Sequence, residues 1–537
     1  MSSPEYHAYD EFIDRTKALH EMRALGVDPY PPQAFKTSTN IHDLQALYVG
    51  NALSPSEEAA ECKTPEAKIA GRLVLFRPMG KNIFAQIQDE KGRIQLMFNR
   101  DLTQVDGLKE DPENQAIPRP IKFIEKKCNL GDWIGVEGHL FRTQKGELTL
   151  FVKKMTFLCK TLLPLPDKHT GLNDKEIRYR KRWLDLIAND EVRTAFLQRS
   201  RITNLIRNYF AEKNFCEVET PVLQNTYGGA AAKPFTTHLN ALDQDMFLRI
   251  SLEIPLKKLL VGGLERVYEM GKVFRNEGID RTHNPEFTMV EAYAAYWDYN
   301  DMMAFVENLY ERIALDLFND TKVPYETSEG LIEIDMKAPW KRLSMKDSIK
   351  EYASIDVDSH NDDGLRKLIS EKTKLDLAEV KKAPRGILIS MLFEELVEHH
   401  LIQPHHITDH PIETTPLCKP HRDPEEKQAG IVERFESFIA ASEACNAYSE
   451  LNDPELQRKL LEDQAAKRDA GDEEASPLDE EFIEAICQGM PPASGVGIGI
   501  DRLVMLFTKA ASIRDVLFFP LMRPSHSDKV ETASDLV

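Results

Sequence analysis

Charged side chains alternate with apolar ones in the segment 273–296. Arg275 and Glu277 are two residues apart, and so are Glu291 and Tyr293. Side chains two apart on a β-strand share a face. Charged groups on one face of an apolar strand are costly to bury unless a charged group pairs with them. The pattern predicts a hairpin with a long polar tip that binds a charged ligand, or alternatively ladders of surface ion pairs.

A second segment, 434–453, alternates in the same way. Its polar face carries Arg434, Glu436, Asn446, Tyr448 and Glu450. Glu436 and Glu443 could share a divalent cation, because Mg²⁺ binds carboxylate oxygens together with substrate phosphates. Unrelated salt bridges would explain the two carboxylates equally well.

Glycines alternate in a third segment. Gly495, Gly497 and Gly499 leave one face of a predicted strand without side chains, which a flat ring or a backbone could approach. Asp501 is expected to be the N-cap of the apolar helix that follows. Arg502 lies in its first turn, where the helix dipole disfavours a cation unless a polyphosphate binds there. The order GxxxxGK[ST] of a Walker loop is missing. Tight strand–helix packing is the alternative explanation.

A fourth segment, FCEVETPVL at 215–223, predicts a strand that ends at Pro221 after a helix, and it could be plain core. Taken together, the four segments predict an antiparallel sheet whose floor carries two arginines and several carboxylates. Such a floor would suit a nucleotide together with a cationic small molecule.

Other elements must position these strands. Residues 9–25 predict an amphipathic helix, and residues 67–158 predict five short strands with glycine-containing turns. The latter favour a closed or sandwiched β domain, for which an OB-type barrel is one candidate. Residues 102–120 are expected to be a surface excursion, and the charged stretch 462–481 a solvated face.

Composition narrows the function classes. The chain has 537 residues, of which 68 are basic and 88 acidic, so its formal charge is −20. A protein that binds nucleic acid over its whole surface should be basic, so any such contact is expected at a local patch, for which the Lys and Arg residues at 175–182 are a candidate. The seven cysteines form no CxxC pair, which favours reduced thiols in the cytoplasm. Neither a leader nor a membrane span is expected.

The resulting domain prediction has five parts: an N-terminal helix and connection at 1–66, a β domain at 67–160, a linker at 161–183, a mixed domain at 184–524 and a tail at 525–537.

These motifs resemble a known family. FCEVETP resembles motif 1, FRNEG with HNPEFTMVE resembles motif 2, and GVGIGIDR resembles motif 3 of the class II aminoacyl-tRNA synthetases. The pairing of HNPEFTMVE with CNAYSELND is similar to the lysyl-tRNA synthetases in particular. The resemblance implies an α+β fold with an N-terminal OB-fold β-barrel that binds the anticodon and a C-terminal antiparallel catalytic sheet flanked by helices. It also implies a homodimer built partly through motif 1.

The implied reaction is lysine–tRNA ligation. Lysine and ATP would give lysyl-adenylate and pyrophosphate, and the 3′-terminal ribose hydroxyl of tRNA(Lys) would then accept the lysyl group. Mg²⁺ is the implied cofactor.

The resemblance also implies site residues. Arg275 would stabilise the α-phosphate and Arg502 the γ-phosphate, as the two catalytic residues. The remaining implied ATP contacts are Asn276, Glu277, His283, Asn284, Phe287 (on adenine), Glu443, Gly499 and Asp501. The implied lysine contacts are Gly229 and Glu253 (α-ammonium), Arg275, Asn446 (carboxylate), Tyr448, and Glu291, Tyr293 and Glu450 (ε-ammonium). Mg²⁺ would bind Glu436 and Glu443, and anticodon uridines would contact Arg77, Phe84, Gln95 and Glu147.

Three alternatives are weighed against lysine–tRNA ligation. The aspartate and asparagine enzymes share both domains, but several carboxylates in one pocket favour an ammonium over an acidic side chain. Enzymes that attach lysine or its β-isomer to a translation factor lack the OB domain, which this chain is expected to have. A non-catalytic tRNA-binding relative should have lost a motif arginine or a metal carboxylate, and all of these are retained.

Some relatives have an arginine where this chain has Thr282.

Overall fold

A computed structural model describes residues 4–49, 55–109, 118–166, 172–327 and 330–524. The chain folds into two units, Met1–Asn173 and Asp174–Val537. The predicted domain limits at 66, 160, 183 and 524 remain predictions, and the predicted tail at 525–537 lies outside the described residues. None of the described helices is long and apolar enough to cross a membrane.

The first unit is built mainly from strands. Its helices are α1 (Asp10–Ala24), α2 (Ile41–Leu47), α3 (Ser56–Ala60) and α4 (Pro120–Lys127). Its strands are β1 (Glu66–Met79), β2 (Asn82–Gln88), β3 (Arg93–Asn99), β4 (Gln104–Val105), β5 (Trp133–Arg142) and β6 (Leu148–Cys159). α1 confirms the helix predicted at 9–25.

Strands β3, β2, β1, β5 and β6 pair in that order, and β3 also pairs with β6, so the sheet closes on itself. Alternation fills the interior, because Ile83, Ala85 and Ile87 of β2 are buried in the barrel core whereas Phe84 lies on the opposite face. The predicted OB-type barrel is confirmed.

The expectation of a surface excursion at 102–120 is wrong for its first part. Gln104–Val105 pairs with β6, and Val105 and Leu108 are buried in the barrel core. A two-residue strand has too few positions to produce an alternating pattern, so the sequence does not reveal it. Residues 110–117 lie outside the described residues, and α4 begins at Pro120.

The second unit combines helices with a large sheet. Its helices are α5 (Lys175–Arg180), α6 (Arg182–Ala188), α7 (Asp190–Glu212), α8 (Glu253–Val261), α9 (Tyr299–Phe318), α10 (Met345–Ala353), α11 (Asp362–Lys372), α12 (Leu377–Lys382), α13 (Arg385–Leu396), α14 (Pro424–Gln428), α15 (Pro454–Asp469), α16 (Glu480–Cys487), α17 (Ile500–Thr508) and α18 (Ile513–Val516). Its strands are β7 (Cys216–Glu217), β8 (Leu223–Gln224), β9 (Thr236–Leu239), β10 (Gln244–Leu248), β11 (Arg266–Phe274), β12 (Glu286–Ala295), β13 (Lys322–Thr327), β14 (Gly330–Asp335), β15 (Lys341–Ser344), β16 (His405–Pro411), β17 (Ile431–Ile439), β18 (Ser442–Ser449) and β19 (Ala493–Gly499). Short 3-10 helices span Glu5–Ala8 in the first unit and Val357–Ser359, Glu398–His400 and Ile412–Thr414 in the second.

The central sheet has the strand order β15-β16-β17-β18-β19-β12-β11-β7 among the described residues. Neighbours are antiparallel except at the two ends, where β15 pairs with β16 and β11 with β7 in parallel. Two smaller sheets, β8-β10-β9 and β13-β14, lie apart from it. The mixed α+β fold predicted for this part of the chain is confirmed.

The two faces of this sheet have different chemistry. Along β12, Val290 and Ala292 belong to the main core cluster, which also includes residues of α7, α9 and α17. Glu291 and Tyr293 alternate with them and point to the opposite face. The predicted sharing of a face by Glu291 and Tyr293 is therefore confirmed.

Three local predictions need correction. The predicted strand at 215–223 joins the central sheet only at Cys216–Glu217, since Thr220 donates its N–H to the Glu269 carboxylate, and Leu223 begins β8 of a smaller sheet. Strand β11 ends at Phe274, so Arg275 and Glu277 lie in the loop that follows rather than on one face of a strand. The N-cap of α17 is Gly499, and Asp501 lies inside the first helical turn.

Candidate active site

A cleft of about 750 Å³ lies on the polar face of the central sheet in the second unit. Its lining includes most of the residues that the sequence predicts for ATP, lysine and metal: Gly229, Glu253, Arg275, Glu277, His283, Asn284, Phe287, Glu291, Tyr293, Glu436, Glu443, Asn446, Tyr448, Gly499, Asp501 and Arg502. Asn276 and Glu450 are not among the lining residues. The fold thus brings together side chains that are more than 250 residues apart in the chain.

Strand β19 forms the floor of the cleft. Its Gly497 is paired with Glu291 on β12 and with Asn446 on β18, and Gly495 is paired with Tyr293 and Tyr448. The side chains of the two neighbouring strands therefore flank a bare central strand, as the glycine spacing predicts.

Gly495 has a specific steric role. A Cβ at this position would overlap Glu450 Oε1 and the Tyr293 ring. Glu450, which is fully buried, thus lies directly against the bare backbone of Gly495. Glu450 and Tyr293 fill the space that a side chain at position 495 would need.

Carboxylates gather at one end of the cleft, which we call the lysine end after the substrate that the sequence resemblance implies and define by Glu253, Glu291, Tyr293, Tyr448 and Glu450. Glu291 accepts hydrogen bonds from the Leu252 N–H at 2.9 Å and from the Tyr293 hydroxyl at 3.0 Å. The Tyr448 hydroxyl donates to Glu253 Oε1 at 2.7 Å. Burial, together with the nearby Glu253 charge, raises the pKa of the Glu291 carboxyl to about 7.

Sequence reasoning missed Lys257, which contacts two carboxylates of the lysine end without lining the cleft. Its Nζ forms ion pairs with Glu253 at 2.5 Å and with Glu450. Burial raises the pKa of the Glu450 carboxyl, and the charge of Lys257 only partly opposes this effect. The sequence feature that could have identified Lys257 is its i, i+4 spacing from Glu253, which places an acid and a base on one helix face.

The loop that carries Gly229 closes over this end. Gly229 has a φ of +85°, and a Cβ there would overlap Ser251 Oγ. The Ser251 hydroxyl donates to the Gly228 carbonyl at 2.9 Å, which holds the loop next to the start of α8. Glycine at 229 satisfies both the positive φ and the close approach.

The opposite end, which we call the phosphate end, is defined by Arg275, His283, Phe287, Glu443 and Arg502. Arg502 contacts Glu443 Oε2 at 3.4 Å and His283 Nε2 at 2.8 Å. The Arg275 guanidinium lies 5.3 Å from the centre of the Phe287 ring. An arginine beside an aromatic face can hold a phosphate next to a stacked base.

The predicted polar tip of the β11–β12 hairpin is ordered by Asp280. Its carboxylate accepts hydrogen bonds from the Thr282 and His283 N–H groups and contacts His283 Nδ1 at 2.8 Å. Loss of solvation opposes ionisation, but these hydrogen bonds outweigh it and lower the pKa of Asp280. The tip therefore presents His283 to Arg502, and Thr282 contributes its backbone rather than a cation.

Asp501 has both carboxylate oxygens occupied by protein groups. It accepts from Arg199 at 2.5 Å and from the Thr288 N–H at 2.7 Å, and it is almost fully buried. These contacts tie α17 to α7 and to β12, and they fix the helix turn that carries Arg502. Arg199 is a second residue that the sequence analysis did not single out.

Glu436 and Glu443, the predicted metal ligands, lie on neighbouring strands β17 and β18. Arg434 binds Glu436 at 2.5 Å and donates to Asn446 Oδ1 at 3.1 Å. Loss of solvation and the charge of Glu436 raise the pKa of Glu443. Within the described part of the chain, no group of three or more His, Cys, Asp or Glu side chains is arranged to hold a metal. Two carboxylates are thus the protein's own contribution at this place.

The side chain of Asn284 has a buried oxygen without a hydrogen-bond partner among the described residues. Its side-chain N–H donates to the Glu286 carbonyl at 2.6 Å, but its buried Oδ1 has no hydrogen-bond partner among the described residues. A buried amide oxygen without a partner is costly.

The expectation that 462–481 is only a solvated face is wrong in part. Gln464, Lys467, Asp472 and Glu474 line the cleft. Lys233 forms an ion pair with Glu473 at 2.7 Å, which brings this segment to the loop after Gly229. Charge density in sequence does not distinguish an outer face from a cleft wall.

The predicted anticodon residues lie on one outer face of the barrel in the first unit. Arg77 is paired with Phe84, and Gln95 donates to Thr149 at 2.9 Å. Glu147 accepts from Gln86 at 3.3 Å. Phe84 is half-buried outside the barrel core, so it does not fill the interior.

The chain is similar to known proteins along nearly its whole length. A family model described as tRNA synthetases class II (D, K and N) matches residues 174–523, and one described as OB-fold nucleic acid binding domain matches residues 67–158. A lysine–tRNA ligase of Chlamydia caviae is 58% identical over 98% of this chain and 100% of its own length. A lysine–tRNA ligase of Trichormus variabilis is 44% identical over 96% and 88%, and one of Clostridium perfringens is 43% identical over 95% of each chain. The chain therefore belongs to the class II tRNA synthetases (D, K and N), and within them to the lysine–tRNA ligase family.

Proposed function

We propose that this chain is a lysine–tRNA ligase that activates L-lysine with ATP and transfers the lysyl group to tRNA(Lys). The observation that carries the proposal is one cleft with buried carboxylates at its lysine end and two arginines at its phosphate end. This arrangement matches a substrate with two ammonium groups beside a triphosphate.

Lysine would lie along β19. The Gly229 carbonyl and Glu253 receive its α-ammonium, and Asn446 and Arg275 meet its carboxylate. Glu291 and Glu450, with the Tyr293 hydroxyl, surround its ε-ammonium. Leaving a buried carboxylate unpaired costs about 3–5 kcal/mol, so a neutral or acidic side chain is rejected by roughly 10²-fold or more.

ATP would occupy the phosphate end, with adenine on Phe287. The proposed nucleotide contacts besides Phe287 are Arg275, Asn276, Glu277, His283, Asn284, Glu443, Gly499, Asp501 and Arg502. A lysine carboxylate oxygen attacks the α-phosphorus, and the bond to the pyrophosphate oxygen breaks. Arg275 stabilises the charge at the α-phosphate, while Arg502 holds the γ-phosphate.

No side chain acts as a nucleophile in this scheme. The enzyme positions the reacting groups and surrounds them with a prearranged electrostatic field, because the side chains that hold them are already hydrogen-bonded. In the second step the 3′-terminal ribose hydroxyl attacks the lysyl carbonyl, and AMP leaves.

Mg²⁺ fits the donor set at Glu436 and Glu443, because both offer hard carboxylate oxygens and their mutual repulsion would be relieved by a cation. Bound there, the ion would offset the negative charge of the ATP phosphates. Two carboxylates suffice when phosphate oxygens complete the coordination.

tRNA would contact both units. The outer barrel face with Arg77, Phe84, Gln95 and Glu147 is proposed to bind the anticodon, where Phe84 stacks on an unpaired base. We also propose a homodimer, supported by the exposed apolar side chains of Leu197, Val222 and Leu223 in and after α7. The seven free thiols are compatible with work in the cytoplasm.

The test is ATP–pyrophosphate exchange with each standard amino acid in turn. Lysine-dependent exchange is expected, followed by lysyl-tRNA formation with tRNA(Lys). Strong exchange with aspartate and none with lysine would contradict the proposal. Exchange with lysine but transfer only to a protein acceptor would contradict the second step.

A further inference from the structure

A buried ammonium group lies directly behind the lysine end of the cleft. Lys257 is on α8, and its side chain is 0% exposed. It forms ion pairs with Glu253, which lines the cleft, and with Glu450, whose Oε1 occupies the place that a Cβ of Gly495 would take. Lys257 itself is not among the lining residues, so it reaches the cleft only through these two carboxylates.

Fixed groups surround this ammonium. Its Nζ lies 5.4 Å from the centre of the Tyr448 ring and 5.9 Å from that of Phe482, distances at which an aromatic face attracts a cation. Burial would lower the pKa of Lys257, but Glu253 and Glu450 outweigh it and raise the pKa. Lys257 therefore stays charged in the folded protein at neutral pH.

The Lys257 ammonium brings the charge of the lysine end into balance with that of the substrate. The lysine end has three carboxylates, Glu253, Glu291 and Glu450, against one ammonium, which leaves two negative charges when all of them are ionised. The substrate lysine brings two ammonium groups. Without Lys257 an extra buried carboxylate would remain, and such a group takes up a proton rather than stay charged and unpaired.

Geometry adds an independent argument. Glu450 Oε2 forms an ion pair with Lys257, whereas the buried Glu450 Oε1 has neither an ion-pair nor a hydrogen-bond partner among the described residues. That free oxygen is the atom against which a Cβ at Gly495 would collide. The ion pair with Lys257 thus turns the other oxygen of Glu450 towards the floor of the cleft.

We propose that Lys257 is a positioning residue for lysine recognition: its ion pairs with the Glu253 and Glu450 carboxylates fix their orientation towards the two ammonium groups of the substrate. The inference rests on the proposed function, since it presumes that substrate lysine binds at this end. Lys257 does not touch the substrate.

The first experiment compares two neighbouring lysines. Lys257→Met is expected to raise the KM for lysine about 10²-fold in ATP–pyrophosphate exchange, with the KM for ATP changed less than about threefold. Lys258→Met is the matched control, because Lys258 is partly exposed and pairs with Glu481 at 2.8 Å outside the cleft. Its KM for lysine should change less than about twofold. Equal effects of the two substitutions on the KM for lysine would overturn the proposal.

The second experiment is a double-mutant cycle with Glu450→Gln. If Lys257 acts through Glu450, the double variant Lys257→Met/Glu450→Gln has a kcat/KM for lysine within about threefold of Glu450→Gln alone. Multiplying losses would overturn this coupling. The double variant removes one of the two buried carboxylates that lose Lys257, and Glu253 keeps its hydrogen bond from the Tyr448 hydroxyl, so the double variant is expected to retain the fold in case Lys257→Met does not. Thermal unfolding of each variant is measured alongside.

The outcomes separate this inference from the proposed function. If wild-type protein shows no lysine-dependent exchange, the proposed function fails and the inference fails with it. If Glu450→Gln weakens lysine use but Lys257→Met does not, the inference alone fails. If Lys257→Met raises the KM for lysine and the cycle is non-additive, the positioning role is supported.

Discussion

The lysine end and the phosphate end of the cleft hold their charges in different ways. At the lysine end, Glu291 and Glu450 are buried, and neighbouring hydroxyl, N–H or ammonium groups fix them. At the phosphate end, the side chains of Arg502 and His283 remain 28% and 52% exposed. Solvent screens the second set much more than the first.

This contrast indicates a division of labour. A buried, prearranged carboxylate discriminates strongly because a wrong partner leaves its charge uncompensated. Exposed groups discriminate less, but they can rearrange around a flexible triphosphate and a cation. We therefore expect substitutions at the lysine end to have larger and more selective effects than those at the phosphate end.

Glu450→Gln should have the largest effect. The amide keeps the shape but removes the charge that pairs with the ε-ammonium and with Lys257, so kcat/KM for lysine should fall by about 10²-fold or more. The KM for ATP should change less than about threefold. Exchange kinetics with each substrate varied in turn measure both values. An equal loss for lysine and ATP would remove Glu450 from the lysine end.

Gly495→Ala is expected to come next. Its Cβ would overlap Glu450 Oε1 and the Tyr293 ring, so kcat/KM for lysine should fall by about 30-fold. Gly499→Ala is the comparison, because a Cβ there has no atom within 4 Å. Its KM for lysine should stay within about twofold of the parent. A similar lysine defect in both variants would contradict the proposed position of the ε-ammonium.

The pH dependence should differ between the two ends. Glu291 has a pKa raised to about 7, so it loses its charge as the pH falls through 7, and Glu450 behaves in the same direction. kcat/KM for lysine should therefore fall about tenfold between pH 8 and pH 6. At saturating lysine the bound ammonium keeps both carboxylates ionised, so kcat/KM for ATP should vary less steeply. A steeper profile for ATP than for lysine would contradict the assignment.

Arg502→Lys should have the smallest effect. Lysine keeps the charge but loses the planar fork that can bind two phosphate oxygens, so the KM for ATP should rise about fivefold, and less at high salt. The KM for lysine should not change. Measurements at two ionic strengths test the role of screening, and a salt-independent loss would show that Arg502 is more shielded than its exposure indicates.

Sequence reasoning was strong where residues repeat with the period of a strand. The alternation of Glu291 with apolar neighbours, and the glycines at 495, 497 and 499, correctly predicted a sheet with one polar face. It was weaker at element ends. Arg275 lies past the end of β11, and Asp501 lies inside α17, because hydrogen bonds with distant groups decide where an element stops.

Contacts between distant parts of the chain were harder to predict. Arg199 binds Asp501, and Arg434 binds both Glu436 and Asn446, yet neither arginine stood out by its spacing. The stretch 462–481 has the composition of a solvated helix, although Gln464 and Lys467 line the cleft. Composition reports how polar a segment is but not which surface it faces.

By itself the sequence determined the barrel, the central sheet and the family, because strand periodicity and motif order are local properties of the chain. Only the tertiary structure decided that Lys257 also pairs with Glu450, and that Gly495 leaves room for Glu450. Residues 257 and 450 are almost two hundred positions apart, and a buried ion pair between them depends on the packing of α8 against the sheet. No local pattern specifies that packing.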